Sequence, residues 1–242
     1  MLVLASQSPR RRQLISLLGW DFTVIPSKVE EEIVPKELPG EYVRRVALDK
    51  ALDIFGNKND FSVKEALIVG ADTVVVDWGK SGSGRGVTNE GQGIPSSDIS
   101  KFEILGKPAD LEEARKVLYR LRGRIHQVYT AVAVIRSRDR KQFIDNCITD
   151  VPMRVYSDEE LEAYVASRDP LDKAGSYAIQ HTGFHPVQNL QGCFANVMGL
   201  PLCHLTRTLL KAGWRTSKDI PAACQAFLEF DCPVYNKILE GY

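Results

Sequence analysis

Leu67-Ile68-Val69-Gly70-Ala71-Asp72-Thr73-Val74-Val75-Val76 is the stretch that decides the fold. Two apolar triplets, rich in the β-branched residues that suit a pleated surface, flank four residues of another kind. An apolar run of this sort reads as a strand buried on both faces, as in the middle of an α/β sheet. Gly70-Ala71-Asp72 interrupts it, and a glycine inside a strand signals close approach to the backbone. Asp72 is a carboxylate among apolar neighbours. Burying it is costly unless it is paired or metal-bound, so it reads as half of a structural ion pair or as a functional acid.

Outward from this strand, the chain alternates strand and helix. Leu2-Val3-Leu4 reads as a short buried strand. Ser8-Pro9 reads as an N-cap with proline at the first helical position, opening a helix to about Leu18 that Gly19 stops. Phe22 to Ile25 is a second strand. Pro39-Gly40 starts a helix with Val43, Val46, Ala47, Ala51 and Ile54 at helical spacing. Leu111 to Leu121 is a helix ended by Gly123. Ile125 to Ile135 is a long strand, and Gln142 to Val155 continues the sheet after the charged turn Arg136 to Lys141. Ser157-Asp158-Glu159-Glu160 caps a helix to about Ser167, and a last core helix runs from Leu200-Pro201 to Leu210. The alternation predicts an α/β fold, a mixed twisted sheet flanked by helices. Two stretches break the pattern. Gly79 to Ser100 holds six glycines and reads as a flexible surface loop. Arg215 to Tyr242 reads as a tail with modest helical signals around Ala222 to Phe230.

With 242 residues the chain can bury a sizeable core as one large domain or two small ones. Lys plus Arg and Asp plus Glu are both 31, and this neutrality argues against a broad face that grips nucleic acid or acidic membrane. Apolar runs are too short to span a membrane, and the N-terminal one is too short for a signal peptide, so the expected location is the cytoplasm. Cys147, Cys193, Cys203, Cys224 and Cys232 are odd in number and lack a C-x-x-C, which favours buried free thiols over disulfides or zinc.

The candidate chemistry lies elsewhere. Ser6-Gln7-Ser8-Pro9-Arg10-Arg11-Arg12 puts arginines on the first turn of a helix, where free N–H groups and the macrodipole already favour an anion. Lys50 projects from an apolar helical stripe. Lys107 follows a tight turn in Leu105-Gly106-Lys107-Pro108, and Lys173 stands in Asp172-Lys173-Ala174-Gly175. Glu30-Glu31-Glu32 is a short acidic run. Each has a plain structural reading: a solvated turn, a snorkelling lysine, an exposed acidic face. Several motifs fail. Gly79-Lys80-Ser81 lacks the glycine a phosphate-binding P-loop needs, and Gly82, Gly84 and Gly86 are out of step for a dinucleotide fingerprint. His181 and His185 are separated by Gly183, and His126 and His204 are isolated. Taken together, cations that could hold a polyphosphate and acids that could hold a divalent metal or activate water suggest phosphate cleavage.

The motifs as a set resemble the Maf-like proteins, a family of nucleoside triphosphate pyrophosphatases. Ala5-Ser6-Gln7-Ser8-Pro9-Arg10-Arg11, Gly70-Ala71-Asp72-Thr73, Leu105-Gly106-Lys107-Pro108, Tyr129-Thr130-Ala131-Val132, Asp172 to Gln180 and Val197-Met198-Gly199-Leu200-Pro201 occur in the family's order. The resemblance implies an elongated α/β fold like that of inosine triphosphate pyrophosphatases, with two lobes around a cleft. It implies a domain over residues 1–213, with a long loop insertion at about 79–101, and an extension over 214–242. It implies hydrolysis of a nucleoside triphosphate to the monophosphate and pyrophosphate with a divalent cation, Mg2+ or Mn2+, in a cytoplasmic homodimer. Asp72 takes the place of the proton acceptor, and Glu31 and Asp72 those of the metal-binding acids. Ser8, Arg10, Arg11, Lys50, Lys107 and Lys173 take places that bind substrate. Arg10, Thr73 and Gln180 match the branch that prefers dTTP and UTP over 7-methyl-GTP. Gln180 offers an amide that can both donate to and accept from a pyrimidine edge. Three features depart from the family: the long loop before Leu105, His181 where glycine is common, and the tail. Modified pyrimidine nucleotides as substrates, and a regulatory role in septum formation, are the alternatives the resemblance leaves open.

Overall fold

The computed structural model describes residues 1–56, 65–79 and 102–240. All but the first residue of the expected Gly79–Ser100 loop lies outside the described residues. The sheet has six strands in the order β2-β1-β3-β5-β6, with β4 beside β3. These are β1 (Leu2–Leu4), β2 (Phe22–Val24), β3 (Leu67–Asp77), β4 (Glu103–Leu105), β5 (Ile125–Arg136) and β6 (Lys141–Pro152). Strand β1 runs parallel to both neighbours, with Leu2 opposite Phe22 and Leu67. Strand β4 is antiparallel to the far end of β3, where Val75 faces Leu105. A turn at Ser137–Arg140 joins β5 to its neighbour β6, a connection short enough only for an antiparallel hairpin. The sheet is thus mixed, as the sequence predicts.

The chain forms two compact units. The first comprises Met1–Thr73, Tyr129–Cys147 and Cys193–Tyr242. Its helices are α1 (Pro9–Ser16), α2 (Pro39–Gly56), α5 (Phe194–Met198), α6 (Leu202–Lys211), α7 (Ile220–Leu228) and α8 (Tyr235–Leu239). Pro39 sets the first turn of α2, and the Glu41 carboxylate accepts the Leu38 N–H at 3.1 Å, satisfying one free donor of that end. The apolar stripe of α2 is buried, and Ala51 and Ile54 pack with Val3, Ala5, Ala66, Ile68 and Ile135 into one cluster. This burial, more than helix propensity, holds α2 in place. The tail is built into this unit: Ile220, Cys224 and Ile238 are buried.

The second unit comprises Val74–Val128 and Ile148–Gly192. It holds α3 (Leu111–Leu121) and α4 (Asp158–Ala166). Asp110 caps α3, and Ser157 with Glu160 forms a capping box on α4, the device its sequence announces. Asp77 is buried, which works against its charge, yet bonds from Arg120 and Arg124 hold its carboxyl below the usual range. The imidazole of His126 is buried against Tyr177, sharing a 2.7 Å hydrogen bond with its hydroxyl. Burial pulls His126 down to about 3 and, in the first unit, His204 to about 4, which favours the neutral imidazole at both.

All five cysteines are free, four of them buried. Burial pushes the Cys203 thiol up to about 12 and Cys224 to about 11, far from nucleophilic thiolates. No helix among the described residues is long and apolar enough to cross a membrane.

Candidate active site

The site begins at Gly70. Far from breaking the strand, Gly70-Ala71-Asp72 lies within an unbroken β3, which corrects the expected interruption. The glycine marks a close approach to the strand backbone, as the sequence predicts. A Cβ at Gly70 would sit 2.1 Å from Ala47 O and 2.9 Å from Ala51 N, so helix α2 rests directly on the strand backbone. That approach brings Lys50, on the same face of α2, to Asp72. The Lys50 ammonium reaches Asp72 Oδ1 at 2.7 Å and Glu31 Oε1 at 2.6 Å. Lys50 is 8% exposed, well inside the stripe's edge where a snorkelling lysine would end, and Asp72 is 3% exposed. Glu31 is the solvent-facing arm, with 44% of its side chain exposed. Gly70→Ala is expected to cost about 1–3 kcal/mol of stability through overpacking and to lower activity by lifting Lys50 from Asp72. Denaturant unfolding and initial rates check this. A variant with wild-type stability would show that α2 yields freely.

Asp72 uses its two oxygens differently. Oδ1 takes the lysine, whereas Oδ2 is buried with no hydrogen-bond partner among the described residues. An oxygen held in this state is suited to accept a proton or face a cation.

Arg11 is the second centre. Ser8 is the N-cap of α1 and accepts the Arg11 backbone N–H, with Pro9 at the first helical position. The Arg11 side chain folds back: Nε donates to Gly199 O at 2.8 Å, Nη2 to Thr73 Oγ1 at 3.0 Å and Nη1 to Ser6 Oγ at 3.4 Å. Desolvation lowers its pKa while the charges of Asp72 and Glu31 act to raise it. Arg10 shares the same first turn of α1. The first unit thus joins Glu31, Lys50 and Asp72 in one ion-pair cluster, and Arg11 and Thr73 in one hydrogen-bond network.

Lys107, Lys173 and Gln180 belong to the second unit. Lys107 and Gln180 are exposed. Lys173 is buried and donates to Asp169 O at 2.6 Å, Asp169 Oδ1 at 2.9 Å and Asp172 Oδ1. Its contacts brace the turn that carries residues 169–180. The His181 ring packs edge-on against Tyr164, centroids 4.8 Å apart, and its Nδ1 accepts the Gly183 N–H at 3.2 Å.

A family profile described as "Maf-like protein" matches residues 1–212. The chain belongs to the Maf-like family. A relative named dTTP/UTP pyrophosphatase from Bacillus thuringiensis subsp. konkukian is 39% identical over 208 residues, 86% of this chain and 93% of its own. Another of that name, from Dictyoglomus thermophilum, is 37% identical over 214 residues, 88% of this chain and 96% of its own.

The Maf-like site fits a magnesium ion in its donor chemistry. Glu31 and Asp72 supply hard carboxylate oxygens, and Asp72 Oδ2 is uncommitted. Among the described residues no group of three or more His, Cys, Asp or Glu could hold a metal alone. Magnesium commonly takes one or two carboxylates and completes its shell with water and substrate phosphate. Sequence reasoning gave no role to Ser6, Thr130 or Gly199, which surround Arg11 and Thr73. The available signal was a threonine inside the apolar run Tyr129-Thr130-Ala131-Val132.

Proposed function

We propose that the chain hydrolyses nucleoside triphosphates, dTTP and UTP ahead of others, to the monophosphate and pyrophosphate. The observation that carries this reading is Asp72, a buried carboxylate with Oδ1 fixed by Lys50 and Oδ2 uncommitted. The names of the relatives support the substrate class.

Lys50 orients the carboxylate so that Oδ2 can accept the proton of an attacking water. The water oxygen bonds to the α-phosphorus as the bond to the bridging oxygen breaks, and pyrophosphate leaves with that electron pair. Arg11 and the positive end of α1 bind phosphate oxygens. A magnesium ion held by Glu31 and Asp72 would neutralise phosphate charge. Gln180 is exposed on the second unit, and its amide can both donate and accept.

The test is turnover of dTTP with magnesium in 18O-labelled water. Pyrophosphate should appear with the label in dTMP. Label in pyrophosphate would overturn attack at the α-phosphorus, and no turnover of any triphosphate would overturn the function. The kcat/KM for dTTP and UTP should exceed those for dATP, GTP and 7-methyl-GTP. A higher value for 7-methyl-GTP would overturn the preference.

A further inference from the structure

We propose that Thr130 is a positioning residue that, through Thr73, aims Arg11 at phosphate. The proposal rests on the function proposed above and specifies how one of its phosphate-binding groups is held.

The guanidinium has five N–H donors in a planar fork. Nε and Nη2, its side-on edge, are spent on Gly199 O and Thr73 Oγ1. Nη1 gives one N–H to Ser6 Oγ. One N–H on each terminal nitrogen remains, and these are donors for phosphate oxygens.

Thr130 fixes the polarity of this arrangement. Its Oγ1 lies 3.0 Å from Thr73 Oγ1 and 3.0 Å from Asn196 O. A carbonyl only accepts, so the single hydroxyl proton of Thr130 goes to Asn196 O. Thr73 must then donate to Thr130, which turns its lone pairs to Arg11. The donors run in one direction, from guanidinium through two hydroxyls to the backbone of α5. Thr130 is fully buried in β5, where a hydroxyl without such partners would be costly. Gly199 closes the frame from the other side, at φ +105°. A Cβ there would lie 3.2 Å from Thr73 Oγ1 and 3.6 Å from Arg11 Nε. Two carbonyls of this short segment, Asn196 O within α5 and Gly199 O at its C-cap, thereby hold the arginine, the first through hydroxyls and the second directly.

Thr130→Val, Thr130→Ser and Thr73→Val test the idea in the wild type and in an Arg11→Lys background. Thr130→Val should lower kcat/KM about tenfold on dTTP, UTP and GTP alike. It should weaken inhibition by pyrophosphate by a similar factor, and Thr130→Ser should restore both. In the Arg11→Lys background, which keeps the charge but loses the fork, Thr130→Val should add little further loss. Equal losses in both backgrounds, unchanged kinetics, or a shift confined to the ranking of bases would each overturn the proposal. Thr73→Val carries the same comparison if Thr130→Val does not fold. A wild type inactive on every triphosphate would instead remove the function on which the proposal rests.

Discussion

Asp72→Asn loses at least about a hundredfold in kcat on dTTP and keeps the fold, as expected of a lost proton acceptor. Asparagine has the same shape, and its Oδ1 can still accept from Lys50. The cluster of Glu31, Lys50 and Asp72 goes from one excess negative charge to none. Packing is therefore preserved while the atom that matters changes: where Oδ2 was, an amide donates instead of accepting. Thermal unfolding checks the fold, and single-turnover rates with dTTP check the chemistry. A variant retaining most of the wild-type rate would exclude Asp72 as the proton acceptor.

The second large effect is on stability. Lys50→Met keeps an unbranched chain of similar length but leaves the buried Asp72 carboxylate without its cation. Removing one member of a buried ion pair typically costs about 3–5 kcal/mol, because the other charge stays desolvated. The loss should appear as a lower denaturant midpoint, along with reduced turnover on every triphosphate. Adding Asp72→Asn should return much of that stability, since no orphan charge then remains. Magnesium is expected to stabilise Lys50→Met more than the wild type, because the ammonium no longer competes for Glu31 and Asp72. An unchanged midpoint in Lys50→Met would mean that the ion pair seen here contributes nothing net.

The elements that were legible in the sequence are those whose signals are local. Helix α3 runs over Leu111–Leu121 as its periodicity predicts, and α4 starts at the capping box its residues spell. Strand β1 matches Leu2–Leu4. Two short elements were not legible: β4 lacks the unbroken apolar run that marks β1, and α5 spans too few residues to show a period. The tail showed only weak signals because its helices are fixed by tertiary burial of Ile220, Cys224 and Ile238. Gly70-Ala71-Asp72 was read as an interruption because small residues weaken a strand pattern; the close approach that Gly70 signalled is there, and it is the backbone of α2 that makes it. The charged candidates were each visible, but their pairing was not. Lys50 and Asp72 are distant along the chain, and nothing local says that one contacts the other. Lys173 was ambiguous in the sequence, and Asp169 and Asp172 beside it supply a local reason for its charge.

The two helices beyond residue 212 bear on what a shortened chain would expose. Leu202 and Cys203 of α6 share a pocket with Pro221, Cys224 and Leu228 of α7. Arg207 of α6 donates to Ile238 O at 3.2 Å while its other nitrogens hold Asp145. A host surface lined with apolar side chains is soluble only while something covers it. A chain cut before α7 would therefore bare this apolar face of α6 and would need polar residues there to stay soluble. Leu202 and Cys203 are the positions at which such a truncation would be felt first.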